Sequence, residues 1–177
     1  MKKFLLTLSM TALLLFTAGC SCPFSDKTAD SKPQMNTAAA SAAEVAPDFS
    51  YKELGSGKSM RLSDLKGKPV FINFWATWCP PCVGELPHIE KKYAEYKDKM
   101  HFVILSVDDN EQEPARFIQS KGYTFPAAYG DHQALGRAYG IDAIPASYII
   151  SADGHIVARI VGSMNESSLD AFLQKAF

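Results

Sequence analysis

The sequence predicts an α/β fold, a central mixed β-sheet flanked by helices, and three observations carry that prediction. Val70-Phe71-Ile72-Asn73-Phe74-Trp75 reads as a strand buried on both faces. Val83, Leu86, Ile89, Tyr93 and Tyr96 then recur every three or four residues, the spacing of a helix with one apolar face. Strand-like and helix-like segments alternate from there and end in a hairpin and a last helix, which gives a sheet covered on both sides.

The 177 residues, 47 % of them apolar, suit one domain with a proper core. Lys2-Lys3 followed by the apolar stretch Phe4 to Phe16 and by Thr17-Ala18-Gly19 reads as a signal peptide over residues 1–19, too short to span a bilayer comfortably. Ala18-Gly19-Cys20 resembles a bacterial lipobox, which implies a lipid on Cys20 and a chain anchored to a membrane. Thr17 stands where that motif prefers leucine, so plain cleavage is the alternative. Cys22 is left over and reads as idle. Residues 20–43, rich in Ser, Ala, Thr, Asp and Lys, bury too little surface to offset ordering and read as a flexible tether. The tether is too short and polar for a dimerisation domain, so a monomer is expected. Loss of residues 1–19 with Lys2 and Lys3 leaves 16 basic against 19 acidic residues, a balance of −3 that makes no case for nucleic acid or anionic lipid.

The folded domain, residues 44–177, opens with a hairpin: Phe49 to Leu54 and Met60 to Leu62 bracket Gly55-Ser56-Gly57. Ser63 to Lys68 reads as a capped turn leading into the central strand. His101 to Val107 is a second buried strand, ended by Asp108-Asp109-Asn110 as a simple turn. Glu111 to Lys121 is helical, with Pro114 in its first turn and Gly122 closing it. A short strand over Phe125 to Tyr129 and a short helix over Asp131 to Tyr139 follow. Ser147 to Ile150 and Ile156 to Val161 flank the turn Asp153-Gly154, and Asn165 to Ala176 closes the chain as an amphipathic helix.

The chemistry sits at Cys79-Pro80-Pro81-Cys82, where the buried strand ends and the helix begins. Proline is tolerated in a first helical turn because no donor is needed there. Unpaired N–H groups and the macrodipole at that end favour an anion, so a cysteine there forms a thiolate more readily. An unperturbed thiol is only about 3 % thiolate at pH 7, so each unit of depression counts. Cys79 is expected as the exposed nucleophile and Cys82, one turn in, as the buried resolving thiol. The alternatives are a structural disulfide, which would remove only about 2 kcal/mol of chain entropy over so short a loop, and a zinc half-site. His88, His101, His132 and His155 are scattered singly, so no metal is expected, and a dithiol needs no cofactor.

Phe74-Trp75-Ala76-Thr77-Trp78-Cys79-Pro80-Pro81-Cys82 resembles the active-site signature of thioredoxin-fold proteins of the extracytoplasmic TlpA/ResA-like branch. Ala46-Pro47-Asp48-Phe49, Glu85-Leu86-Pro87 and Tyr139-Gly140-Ile141-Asp142-Ala143-Ile144-Pro145 fall in that family's order. The resemblance implies a thioredoxin-like fold and a thiol–disulfide oxidoreductase of the bacterial cell envelope. It would reduce exported disulfide proteins and draw electrons from a membrane thiol transporter. It implies a cis Pro145 beside the cysteines, with the Ile144 backbone placed to pair with a substrate strand. Trp78 is read as lining the active surface, Trp75 as core and His88 as a surface residue. Cytoplasmic thioredoxins carry an aspartate where Asn73 stands, and Asn73 cannot titrate. Glu85, three residues after Cys82 on one helical face, takes over the proton in this branch; a solvated helix glutamate is the other reading. Two other functions compete with this reading. A peroxidase would need proline where Ile72 stands, and a Cu(I) carrier would need a wider cysteine spacing with a partner histidine.

Overall fold

The computed structural model describes residues 44–177. The expected signal peptide, Cys20, Cys22 and the expected tether all fall outside the described residues. Seven strands form one sheet: β1 (Ser50–Glu53), β2 (Ser59–Arg61), β3 (Val70–Trp75), β4 (His101–Ser106), β5 (Ala127–Tyr129), β6 (Ala146–Ile150) and β7 (Ile156–Val161). Four helices connect or follow them: α1 (Pro80–Tyr96), α2 (Gln112–Lys121), α3 (His132–Tyr139) and α4 (Glu166–Leu173). The strand order is β2-β1-β5-β4-β3-β6-β7. The middle strands β3, β4 and β5 are parallel, and β6, β7, β1 and β2 pair antiparallel around them. The sheet is therefore mixed, and the fold is thioredoxin-like.

All six residues of β3 are buried, as its unbroken apolar reading requires. Alternate side chains of a strand point to opposite faces. Phe71 and Trp75 pack with Leu86 and Ile89 of α1, Ile118 of α2 and Leu169, Phe172 and Leu173 of α4. Ile72 and Phe74 pack on the other face with Leu135 and Tyr139 of α3. Each large apolar side chain buried in this way contributes about 1.5–3 kcal/mol, which is what holds helices of eight or ten residues that would be marginal alone.

Several boundaries differ from the sequence reading. The fifth strand starts at Ala127 because Pro126 has no N–H for a ladder. The turn before β3 is a 3-10 helix, Leu62–Leu65, where Asp64 Oδ2 accepts from Arg61 N at 2.9 Å. The last helix is α-helical only over Glu166–Leu173, capped by Asn165, whose side chain accepts from Ser168 N; a 3-10 turn, Gln174–Ala176, completes it. Gly140 ends α3 in the left-handed region, φ +59°, which an L side chain rarely adopts.

Candidate active site

Cys79 is the N-cap of α1, and Pro80 and Pro81 occupy the first two helical positions. Cys79 and Cys82 are joined in a disulfide, with Cα atoms 5.3 Å apart. The Cys82 backbone N–H donates to Cys79 Sγ at 3.3 Å, so the sulfur of Cys79 already receives one of the free donors of the helix start. Cys79 was expected to be exposed. In the disulfide only 5 % of its surface is accessible, against 1 % for Cys82, because its sulfur lies against the next loop, 3.8 Å from Ile144 O. The Ile144–Pro145 bond in that loop is cis. Beside it Trp78 stands 65 % exposed. An open groove of about 550 Å³ runs from Trp78 past Val107 and Asp109 to Ile141 and Ile144.

About one turn of α1 past Cys82 lies a buried polar cluster in an otherwise apolar layer. Glu85 is 1 % exposed, which excludes the reading of a solvated helix glutamate. Its carboxylate accepts from Met164 N at 3.0 Å and from Asn73 Nδ2 at 3.3 Å. Burial pushes its pKa up to about 7, against which the two hydrogen bonds pull it down. Asn73 Nδ2 also donates to Ser147 Oγ at 2.9 Å, across the β3–β6 register pair Asn73 and Ser147.

A family model for Redoxin matches residues 40–173. The chain belongs to the Redoxin family. A thiol-disulfide oxidoreductase ResA of Halalkalibacterium halodurans is 34 % identical over 174 residues, 98 % of this chain and 94 % of that protein. A ResA of Bacillus anthracis is 37 % identical over 131 residues, 73 % of this chain and 75 % of that one. Among solved structures, a thiol:disulfide interchange protein of the thioredoxin family from Chlorobium tepidum superposes with a TM-score of 0.69 at 29 % identity, covering 78 % of this chain and 99 % of its own. With this kinship and a disulfide at the helix start, the Redoxin-family chain is a thiol–disulfide oxidoreductase.

The structure brings Cys79, Cys82, Trp78, Ile144 and Pro145 together beside the groove, which Trp78 and Ile144 line, with Glu85 buried three residues after Cys82 on α1. Trp75 is fully buried, in keeping with a core residue, and His88 is half-buried on α1. In this Redoxin-family site two residues matter that the sequence reading passed over. Asp108, read as a simple turn residue, is fully buried: it accepts from Thr77 N at 3.1 and 3.2 Å, from Thr77 Oγ1 at 2.6 Å and from Ser106 Oγ at 2.8 Å. It thereby clamps the loop that carries Trp78 and Cys79 onto the end of β4. Ser147 holds Asn73, and no local sequence signal marks these two contacts, since Asn73 lies 74 residues from Ser147 and Thr77 lies 31 from Asp108.

Proposed function

We propose that the protein reduces disulfides of exported proteins in the bacterial cell envelope, outside the cytoplasm on the periplasmic side, held on a membrane by a lipid on Cys20. The observation that carries the reductase reading is the Cys79–Cys82 pair at the start of α1, next to an open groove and above a buried carboxyl group. Once reduced, Cys79 has its sulfur at the positive end of the helix, where the Cys82 N–H and the macrodipole stabilise a thiolate. Cys79 Sγ attacks one sulfur of a substrate disulfide; that S–S bond breaks, and its electron pair leaves on the other substrate sulfur. A mixed disulfide joins Cys79 to the substrate. Cys82 gives its proton to Glu85, bonds to Cys79 Sγ and releases the second substrate thiolate. Two electrons have passed to the substrate and the Cys79–Cys82 disulfide remains, to be reduced again by a membrane thiol transporter.

Trp78 and the Ile144–Pro145 backbone supply the substrate contacts in this reading, and the signal segment with its lipobox-like end supports the location. Cys79→Ser abolishes disulfide exchange, whereas Cys82→Ser accumulates mixed disulfides whose partners are identified by mass spectrometry. Turnover at the wild-type rate in both variants refutes the reading. Mass spectrometry of the mature N-terminus checks the anchor, and an unmodified start at Ser21 or later removes the lipid from the account.

A further inference from the structure

Asn73 is fully buried on β3, against α1. Its amide nitrogen has two protons and uses both, one on Glu85 Oε2 and one on Ser147 Oγ. Its oxygen has no partner, the one buried side-chain polar atom in that position among the described residues. Leaving such an acceptor unpaired forfeits the hydration it had in the unfolded chain with nothing in return. The arrangement suits a charged Glu85, which accepts from Asn73 and from Met164 N and has nothing to donate. A protonated Glu85 has the opposite need. Its O–H requires an acceptor in a site closed to water, and both groups now aimed at the carboxylate are donors.

The spare acceptor is on the same Asn73 amide, turned away. A half turn about the Asn73 Cβ–Cγ bond exchanges oxygen and nitrogen, two groups of nearly equal size. The oxygen then stands where the nitrogen stood, in reach of both Glu85 and Ser147. Its two lone pairs take the Glu85 O–H and the Ser147 O–H, because a hydroxyl serves equally as acceptor and donor. Each orientation leaves one end of the amide unpaired, and what tips the balance is whether Glu85 has a proton to give.

We propose that Asn73 is a positioning residue acting as a proton-coupled switch: it donates to Glu85 while that carboxylate is charged and turns over to accept from it once Glu85 is protonated. The proposal rests on the reading of Glu85 as the group that takes the Cys82 proton. As the Cys82 S–H bond breaks, the proton moves to Glu85 and the freed electron pair forms the bond to Cys79 Sγ. The bond from Cys79 to the substrate breaks, and its electron pair leaves on the substrate sulfur. Asn73 turns as the proton arrives and turns back when Glu85 yields it to the departing substrate thiolate. A buried carboxyl group is thereby supported in both charge states it must visit in each cycle.

Few other charges face this cluster. Cys79, Cys82 and His88 are the nearest titratable groups along its helix, with Glu90, Lys91, Lys92, Tyr93, Glu95 and Tyr96 farther on; β3 brings no titratable group, and Tyr148 of β6 lies on the other face of the sheet with Arg159 of β7 beside it. Glu166 and Asp170 of α4 are engaged at the surface with Lys91 and Lys92.

The test uses the oxidised wild-type protein, in which neither thiol titrates. NMR follows the Glu85 carboxyl carbon and the Asn73 side-chain amide between about pH 5 and pH 9. The expected result is a common midpoint, with contacts from the Asn73 amide protons to Ser147 and Glu85 present at the alkaline end and lost at the acid end. In Glu85→Gln the new amide is a permanent donor, so the Asn73 signals stay at their acid-end positions throughout. Asn73→Leu removes a charge-assisted hydrogen bond from the carboxylate and a weaker one from the acid, so the Glu85 midpoint rises by about half to one pH unit and the pH profile of mixed-disulfide resolution moves with it. The switch is overturned if Asn73 keeps the same contacts while Glu85 titrates, if Glu85 does not titrate in that range, or if the Asn73→Leu profile does not move. Those outcomes leave the reductase reading intact, which fails separately if Cys79→Ser remains active.

Discussion

Glu85→Gln is the substitution whose consequence can be worked furthest. In the folded protein burial holds the Glu85 pKa at about 7, against an ordinary value of 4.5 for a solvated glutamate. The folded chain therefore binds this proton more tightly than the unfolded chain does. Its contribution to stability is fully present below about pH 4.5, declines as the pH rises through about 7, and is absent above that. Two and a half pH units correspond to about 3 kcal/mol. Glutamine keeps the shape and cannot titrate, so the variant lacks this loss. Urea denaturation of the oxidised proteins, run from acid to mildly alkaline pH, should show the variant gaining about 3 kcal/mol on the wild type across that window. At a urea slope of about 1–3 kcal/mol per molar, this moves the midpoint difference by about 1 M or more. A difference between the two proteins that stays constant with pH would refute the reasoning, because burial of an ionisable Glu85 would then not be what shapes the curve.

Two further substitutions separate structure from substrate contact. Asp108→Ala leaves Thr77 N, Thr77 Oγ1 and Ser106 Oγ without their acceptor, so it should cost about 3 kcal/mol or more in denaturant unfolding and slow disulfide exchange as the loop carrying Cys79 loosens. Trp78→Ala removes a ring that is 65 % exposed, so stability should change by no more than about 0.5 kcal/mol, while kcat/KM for a protein disulfide falls; an unchanged kcat/KM removes Trp78 from the substrate surface.

The sequence by itself determined the parts of this protein that depend on near neighbours. The apolar run of β3, the helical spacing after Cys82, the prolines in the first turn of α1 and the Asp153-Gly154 turn are local patterns, and each produced the element it implied. The place of the cysteine pair was legible for the same reason, since a strand end and a helix start are adjacent in the chain. Burial of Cys79 was not legible, because the loop at Ile144 that covers it arrives from 65 residues away. The fate of Glu85 was likewise undecided, and only its packing against Asn73 of β3 and the chain at Met164 distinguished a buried acid from a surface one. Asp108 looked like an ordinary strand end until the parallel register of β3 and β4 brought Thr77 onto it. Asn73 and Ser147 are opposed only because β6 runs antiparallel to β3 in one particular register. A one-residue slip would send those side chains to the other face of the sheet. Local sequence can favour a strand or a helix through backbone and solvation preferences, but which buried donor meets which acceptor is settled by register and packing between segments far apart in the chain.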